Sequence, residues 1–302
     1  LFVFSLAAYS VFSIPAGFGK NRLINIEQGS GLSEIAEYLE TEGIIKSPFV
    51  FKSLVFLFGE QKNIKAGDYF FEAPLSVFGV VKRVSGGIYG LSSTRVTILE
   101  GWTNYQIGGH FESLGFFSRR DWMKAADGKE GYLFPDTYFF LPNTAPQRAA
   151  EIMRENFDKK VDAAMLSEIA KQKKKLSDIV VMASLIEKEM SSYEDGRIIS
   201  GILWKRLDAG MGLQADAALT YITGKTSAEL TEKDLAMNSP YNTYKYRGLP
   251  PTPIGNPGLG AIRAAIYPEK TLYWYYLHGR DGEPRYAIDF EDHKENKQKY
   301  LR

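Results

Sequence analysis

INIEQGSGLSEIAEYLETEGII, residues 24–45, and VTILEGWTNYQIGGHFESLGFF, residues 96–117, align without a gap. Gly29 matches Gly101, Ile35 matches Ile107, Glu40 matches Glu112, and Gly43 matches Gly115. Each copy starts with short apolar alternation, Ile24 and Ile26 in one and Val96 and Ile98 in the other, which is the period of a strand. Each then turns at glycine. The apolar positions that follow recur at helical spacing: Leu32, Ile35, Ala36 and Leu39, then Ile107, Phe111 and Leu114. Each helix closes at a glycine, the residue that best tolerates the left-handed position after a helix. Between the copies, GDYFFEAPLSVFGVVKRVSGG repeats the order strand, turn, helix and ends at Gly86 and Gly87. Residues 21–120 therefore read as small β–turn–α units that bury their apolar faces only by packing together. As a plain α+β scaffold or as a binding module, the pattern is the same.

The rest of the chain carries different signals. GKEGYLFPDTYFFLPNT, residues 128–144, mixes aromatics with Asp136, Thr137 and two prolines, and reads as an irregular segment of the kind that lines ligand sites. The charged stretch at 145–177 is helical in composition, and its lysine run from Lys171 to Lys175 reads as a solvated helix end. VVMASLIEKEM, residues 180–190, reads as a buried helix with Ser177 as its N-cap. Glu187 and Glu189 lie in it about 200° apart around the axis, so they do not form a pair on one face. A carboxyl in apolar surroundings keeps its proton to higher pH, and a protonated carboxyl near neutrality is a general acid. A Glu that caps buried backbone or pairs with Arg197 has the same sequence signature. NSPYNTYKYRGLPPTPIGNPG, residues 238–258, is too rich in Pro, Gly, Asn and Tyr for a regular element, and offers amides, hydroxyls and flat rings of the kind sugars need. Gly258 and Gly260 lead into a helix. A strand at 272–277, a turn, a strand at 285–288 and a closing helix complete the chain.

Composition removes several chemistries. Among 302 residues there is no cysteine, which excludes disulfides, thiol catalysis and cysteine-held zinc. The net charge of +1 gives no basic surface for nucleic acid. His110, His278 and His293 are far apart and lack metal-ligand spacing, and no nucleophile elbow or Walker loop occurs, so neither a metal nor a cofactor is implied. Leu1 to Ile14 is uncharged and, being shorter than the roughly 20 residues a bilayer requires, reads as the outer end of a membrane anchor in residues 1–20. An apolar first strand is the competing reading.

EGYLFPDTY, ASLIEKE, LQADAALTY, SPYNTY and GLPPTPIGNPG, in this order, resemble the YceG-like family. The resemblance runs from about Ile24 to the end. It implies an α+β fold with an N-terminal LysM-like module in residues 21–120 and a mixed α+β catalytic domain in 121–302. It also implies endolytic cleavage of peptidoglycan glycan strands between N-acetylmuramic acid and N-acetylglucosamine, leaving 1,6-anhydro ends. The catalytic glutamate implied is Glu187, with Ser184 and Glu189 as supporting neighbours. Substrate contacts implied are Glu130, Tyr138, Gln214, Asp216, Asn242, Thr243 and Tyr244. Where the family often reads LQTDPT, this chain has Ala215, Ala217 and Ala218. The implied partners are peptidoglycan strands, penicillin-binding synthases and the inner membrane, with the catalytic domain on its outer side. A non-catalytic wall-binding scaffold, and a hydrolase using Glu187 with Asp216, are the rival readings.

Overall fold

The computed structural model describes residues 13–90 and 92–301. Most of the stretch read as an anchor end, residues 1–12, lies outside the described residues. Among the described residues no helix is long and apolar enough to cross a membrane. The architecture is mixed α+β, mostly helical, with two-stranded sheets. The chain forms two compact units, one reaching to Thr94 and including Leu141–Asn143, the other comprising Arg95–Phe140 and the chain from Thr144 onward.

The first unit contains β1 (Arg22–Ile26), α1 (Leu32–Thr41), α2 (Pro48–Leu57), β2 (Gly67–Phe71) and α3 (Val77–Gly86). β1 and β2 pair antiparallel, with Ile24 opposite Tyr69 and Ile26 opposite Gly67. The strand alternation decides which face is dry: Ile24 and Ile26 are buried while Leu23 beside them is 52% exposed. α1 buries Ile35, Ala36 and Leu39, as its spacing requires. Ser47 and Ser76 cap α2 and α3 by accepting the N–H of Val50 and Gly79. Phe51, Tyr69, Phe71, Val80 and Val84 close the core between these elements.

The second unit opens with β3 (Thr94–Thr97, whose first residue belongs to the other unit), α4 (Asn104–Ser113), α5 (Arg119–Ala125) and β4 (Thr137–Phe140). The second repeat copy is thus β3 and α4. The three β–turn–α segments form as read, but they part company: two lie in the first unit and the third in the second. The division falls between Thr94 and Arg95, ahead of the expected residue-120 boundary. The reason is strand partnership. β3 pairs with β4, and the Thr97 and Thr137 hydroxyls meet at 3.0 Å. Phe111, Trp122, Tyr138 and Phe140 fuse these elements into one aromatic core.

Helices α6 (Pro146–Lys160), α7 (Ala163–Lys171), α8 (Leu176–Glu189), α9 (Tyr193–Asp208), α10 (Asp216–Thr223), α11 (Glu232–Leu235) and α12 (Leu259–Ile266) follow. The chain then makes the hairpin β5 (Tyr275–His278) and β6 (Pro284–Ala287), and ends in α13 (Phe290–Tyr300). α8 is the hub: every residue from Ile179 to Ile186 is buried, so it is wrapped on all sides. Its start corrects the sequence reading. The cap position is Lys175, whose carbonyl accepts the N–H of both Asp178 and Ile179, and Ser177 lies in the first turn with its hydroxyl against Asp178.

Candidate active site

The two glutamates of α8 face different surroundings, as their separation around the axis dictates. The Glu187 carboxylate accepts the backbone N–H of Gly258 at 2.9 Å, the residue that caps α12. It is the backbone-capping alternative that the sequence left open. Arg197, the other partner considered, binds Glu269 at 2.7 Å instead. Glu189 points the other way, into a cavity of about 640 Å³ that Gln214, Asp216, Tyr244, Tyr276 and His278 also line. The Tyr276 hydroxyl donates to Glu189.

Burial is the main force on both acids. It pushes Glu187 up to about 7, with the Glu100 charge adding to the rise and the Gly258 N–H opposing it. Burial also pushes Glu189 up to about 7, helped by the nearby Asp216 charge and opposed by His278 and the Tyr276 hydroxyl. Proton affinity therefore does not distinguish the two. Position does: Glu189 lines the cavity with Gln214, Asp216 and Tyr244, whereas Glu187 lines neither that cavity nor the one beside it.

The cavity wall is rigidly held. Asp216 is the first residue of α10, and its carboxylate accepts the Tyr244 hydroxyl at 2.5 Å. Gln214 takes a left-handed backbone, φ +53°, a conformation that costs a non-glycine residue about 1 kcal/mol or more. Its N–H reaches the Thr243 carbonyl at 3.2 Å, and the Thr243 hydroxyl accepts the Ala215 N–H at 3.0 Å. Asn242 is fully buried. Its amide donates to the carbonyls of Leu235 and Met237, and its oxygen accepts from the N–H groups of Tyr244 and Lys245. Thr243 and Asn242 thus spend their polar atoms on shaping the turn that presents Gln214 and Tyr244, and neither lines the cavity. The C-terminal hairpin supplies the opposite wall. Behind it, Asp195 gathers His278 at 3.1 Å, Tyr286 at 2.5 Å and the Ser191 N–H at 2.8 Å.

A second cavity of about 650 Å³ adjoins the first, sharing Lys188, Ala217, Thr220 and Lys225. Glu130 lines it. This carboxylate accepts the N–H of Asn104, the first residue of α4, at 2.9 Å, and faces the Tyr221 hydroxyl at 3.4 Å. Burial pushes it up to about 7, against both hydrogen bonds and the Lys188 charge. Asn256 clasps this region. Fully buried, it accepts the N–H of Gly131 and Leu133 and donates to the Trp102 carbonyl, Asn104 and Glu130. Its backbone exchanges hydrogen bonds with Gly101 and Trp102. Ser184 fixes the same loop from α8 by accepting the Ile254 N–H at 3.0 Å. The loop can come this close because residue 255 is glycine: a Cβ there would stand 2.6 Å from the Gly101 carbonyl.

Of the residues expected at the site, the structure gathers Glu189, Gln214, Asp216 and Tyr244 around one cavity and Glu130 on its neighbour. Ser184, Asn242 and Thr243 stand behind them. Tyr138 is buried in the aromatic core, donating to the Phe134 carbonyl and accepting from Asn156, and lines neither cavity. The sequence reading missed Tyr276, His278, Lys188, Tyr221 and Asn256. Asn256 lay within a quoted motif, and Tyr276 and His278 alternate along β5, a strand the sequence placed at 272–277, short of His278, and did not read as a cavity wall. Among the described residues no cluster of three or more His, Asp or Glu could hold a metal ion.

The model of one protein family, the YceG-like family, matches residues 24–299. The endolytic murein transglycosylase of Bacillus subtilis (strain 168) is 30% identical over 306 positions, covering 92% of this chain and 84% of that protein. The endolytic murein transglycosylase of Streptococcus pneumoniae serotype 2 (strain D39) is 29% identical, covering 95% of this chain and 60% of that protein. A 2.6 Å crystal structure of a yceG-like protein from Listeria monocytogenes superposes with a TM-score of 0.63 at 29% identity, over 91% of this chain and 99% of that one.

Proposed function

The chain belongs to the YceG-like family, and on that footing we propose that it is an endolytic murein transglycosylase whose general acid is Glu189 rather than Glu187. The observation that carries the choice is company: Glu189 is the α8 carboxyl that lines the 640 Å³ cavity together with Gln214, Asp216 and Tyr244.

The reaction runs on one carboxyl used twice. Protonated Glu189 gives its proton to the glycosidic oxygen between N-acetylmuramic acid and N-acetylglucosamine. The C1–O bond breaks and C1 acquires oxocarbenium character. The Tyr276 hydroxyl steadies the carboxylate that results. That carboxylate then takes the proton of the muramic acid C6 hydroxyl, whose oxygen bonds to C1 and closes the 1,6-anhydro ring. No water is consumed, and the acid is restored. Elevation to about 7 suits both steps, because the group is neither too weak an acid to give its proton nor too weak a base to recover it. Gln214 and the Tyr244–Asp216 pair offer amide and hydroxyl partners for sugar hydroxyls and acetamides. Glu187 holds the start of α12. The first unit is a LysM-like positioning module, and the uncharged stretch at the N-terminus is part of a single-pass anchor that leaves both units outside the cytoplasmic membrane, beside the synthases that make new strands.

The test is product analysis by mass spectrometry on purified peptidoglycan. Glu189→Gln is expected to lower the yield of anhydro-ended fragments about a thousandfold with the fold retained, whereas Glu187→Gln keeps activity within about tenfold (the scale of one general acid or of a small displacement). The opposite ranking returns the role to Glu187. Reducing ends in place of anhydro ends make the protein a hydrolase, and no cleavage by the wild-type chain leaves the scaffold reading.

A further inference from the structure

The catalytic cavity does not end at Lys188. The second cavity shares Tyr105 and Met123 with an open depression of about 720 Å³ on α4 and α5, whose other walls are Arg119, Arg120, Lys124 and Asp127. The three form one trough, all within the second unit.

At its outer end stands an arginine held in place without an anion to hold it. The Arg119 guanidinium lies over the Tyr105 ring at 4.2 Å. On its other side is Gly109, where a Cβ would come within 2.6 Å of the guanidinium, so only a bare α4 backbone leaves room for it. Its Nε is buried and has no hydrogen-bond partner, and among the described residues no carboxylate lies within ion-pair distance of its guanidinium. The nearest acid on α4, Glu112, is spent on the Arg119 backbone N–H. A surface arginine ordinarily keeps its freedom, since pinning it costs up to about 2 kcal/mol of rotamer entropy. A pinned, unpaired guanidinium above an aromatic face is a preorganised receptor for a carboxylate.

Resting on the transglycosylase reading, we propose that this arm of the trough binds the acidic stem peptide of a muramic acid near the cleavage point. Peptide carboxylates meet Arg119, with Arg120 and Lys124, which share Asp121 at 3.9 and 3.6 Å, lending the rest of their charge beside it, and the peptide's aliphatic parts lie on Tyr105 and Met123. Glycan hydroxyls and acetamides carry no charge, and the lactyl carboxylate that an amidase uncovers on each muramic acid sits on the sugar itself, whereas the peptide's carboxylates reach farther from it. The arm therefore favours strands that still carry their peptides.

The experiment compares two substrates with the whole purified chain: glycan strands bearing stem peptides, and the same strands after an amidase has removed them. Arg119→Glu is expected to raise KM on peptide-bearing strands about tenfold with kcat within about twofold, and to leave peptide-free strands cleaved as by wild type. Arg119→Lys restores part of the difference. The double variant Arg120→Glu, Lys124→Glu, on exposed positions that cannot disturb the core, moves KM in the same direction and repeats the test if Arg119 variants fold poorly. Equal losses on both substrates, or none on either, overturn the proposal. A wild-type chain that makes anhydro ends from neither substrate refutes the catalytic reading instead. In that case binding of a free stem peptide, present in wild type and lost in the double variant, still decides the fate of this arm.

Discussion

The two repeat copies share a pattern and differ in what surrounds them. In the first, Gly29 turns the chain at φ +91°, and a Cβ placed there would meet nothing within 4 Å; in the second, Gly101 turns it at φ +74°, and a Cβ there would stand 3.2 Å from both Glu187 and Lys188. The first helix starts at Gly31, which has no side chain to cap it, and relies on Glu34 reaching back to its N–H. The second starts at Thr103, whose hydroxyl accepts the Gln106 N–H while the Gln106 side chain accepts the Thr103 N–H, a complete capping box. The turn of the first copy faces open space and that of the second packs against the hub helix. The same local code served both, and only the neighbours of the turn differ.

The sharpest way to break this contrast is Asn256→Ala, which removes the clasp holding the second copy and has no counterpart in the first. It strands the buried N–H groups of Gly131 and Leu133, and about 3 kcal/mol of stability should be lost from the second unit in denaturant unfolding. Next comes the glycine pair. Gly29→Ala and Gly101→Ala both incur the left-handed penalty of about 1–2 kcal/mol. Only Gly101→Ala should also lower kcat/KM, by roughly tenfold, because the new methyl presses on Glu187 and Lys188. Equal activity losses in the two variants would erase the distinction.

A pH series separates the surroundings further. Glu130, Glu187 and Glu189 are raised from an ordinary 4.5 to about 7, so between those values the folded chain holds more protons than the unfolded one. Their contribution to stability is full below about 4.5, declines as pH rises to about 7 and is flat above it. Asp195 is lowered and acts oppositely, its contribution being lost only in acid. Unfolding titrations at about pH 5 and about pH 8, which bracket the raised values, should show the second unit weaker at the higher pH, and the triple Gln variant should flatten that difference. The smallest effects concern the caps: Thr103→Ala should cost about 1 kcal/mol, and Gly31→Ser should gain a few tenths, bringing the two helix starts closer together.

Sequence periodicity by itself determined the β–turn–α segments, the buried hub helix and the C-terminal hairpin with its closing helix, and the ordered motifs determined the family. These are local patterns, and strand alternation, helical spacing and glycine turns act over a few residues. The motifs also singled out Gln214, Asp216 and Tyr244, which line one cavity. The hub helix told that Glu187 and Glu189 face apart, because 100° per residue is a property of the helix alone. Which of them lines the cavity beside Gln214 and Asp216 was beyond it. That depended on α12 bringing Gly258 to one side and on the β5 strand bringing Tyr276 to the other, from residues about 70 to 90 positions away in the chain. The clasp by Asn256 and the parting of the repeat copies were decided the same way, since both arise from contacts between distant segments that no local pattern encodes.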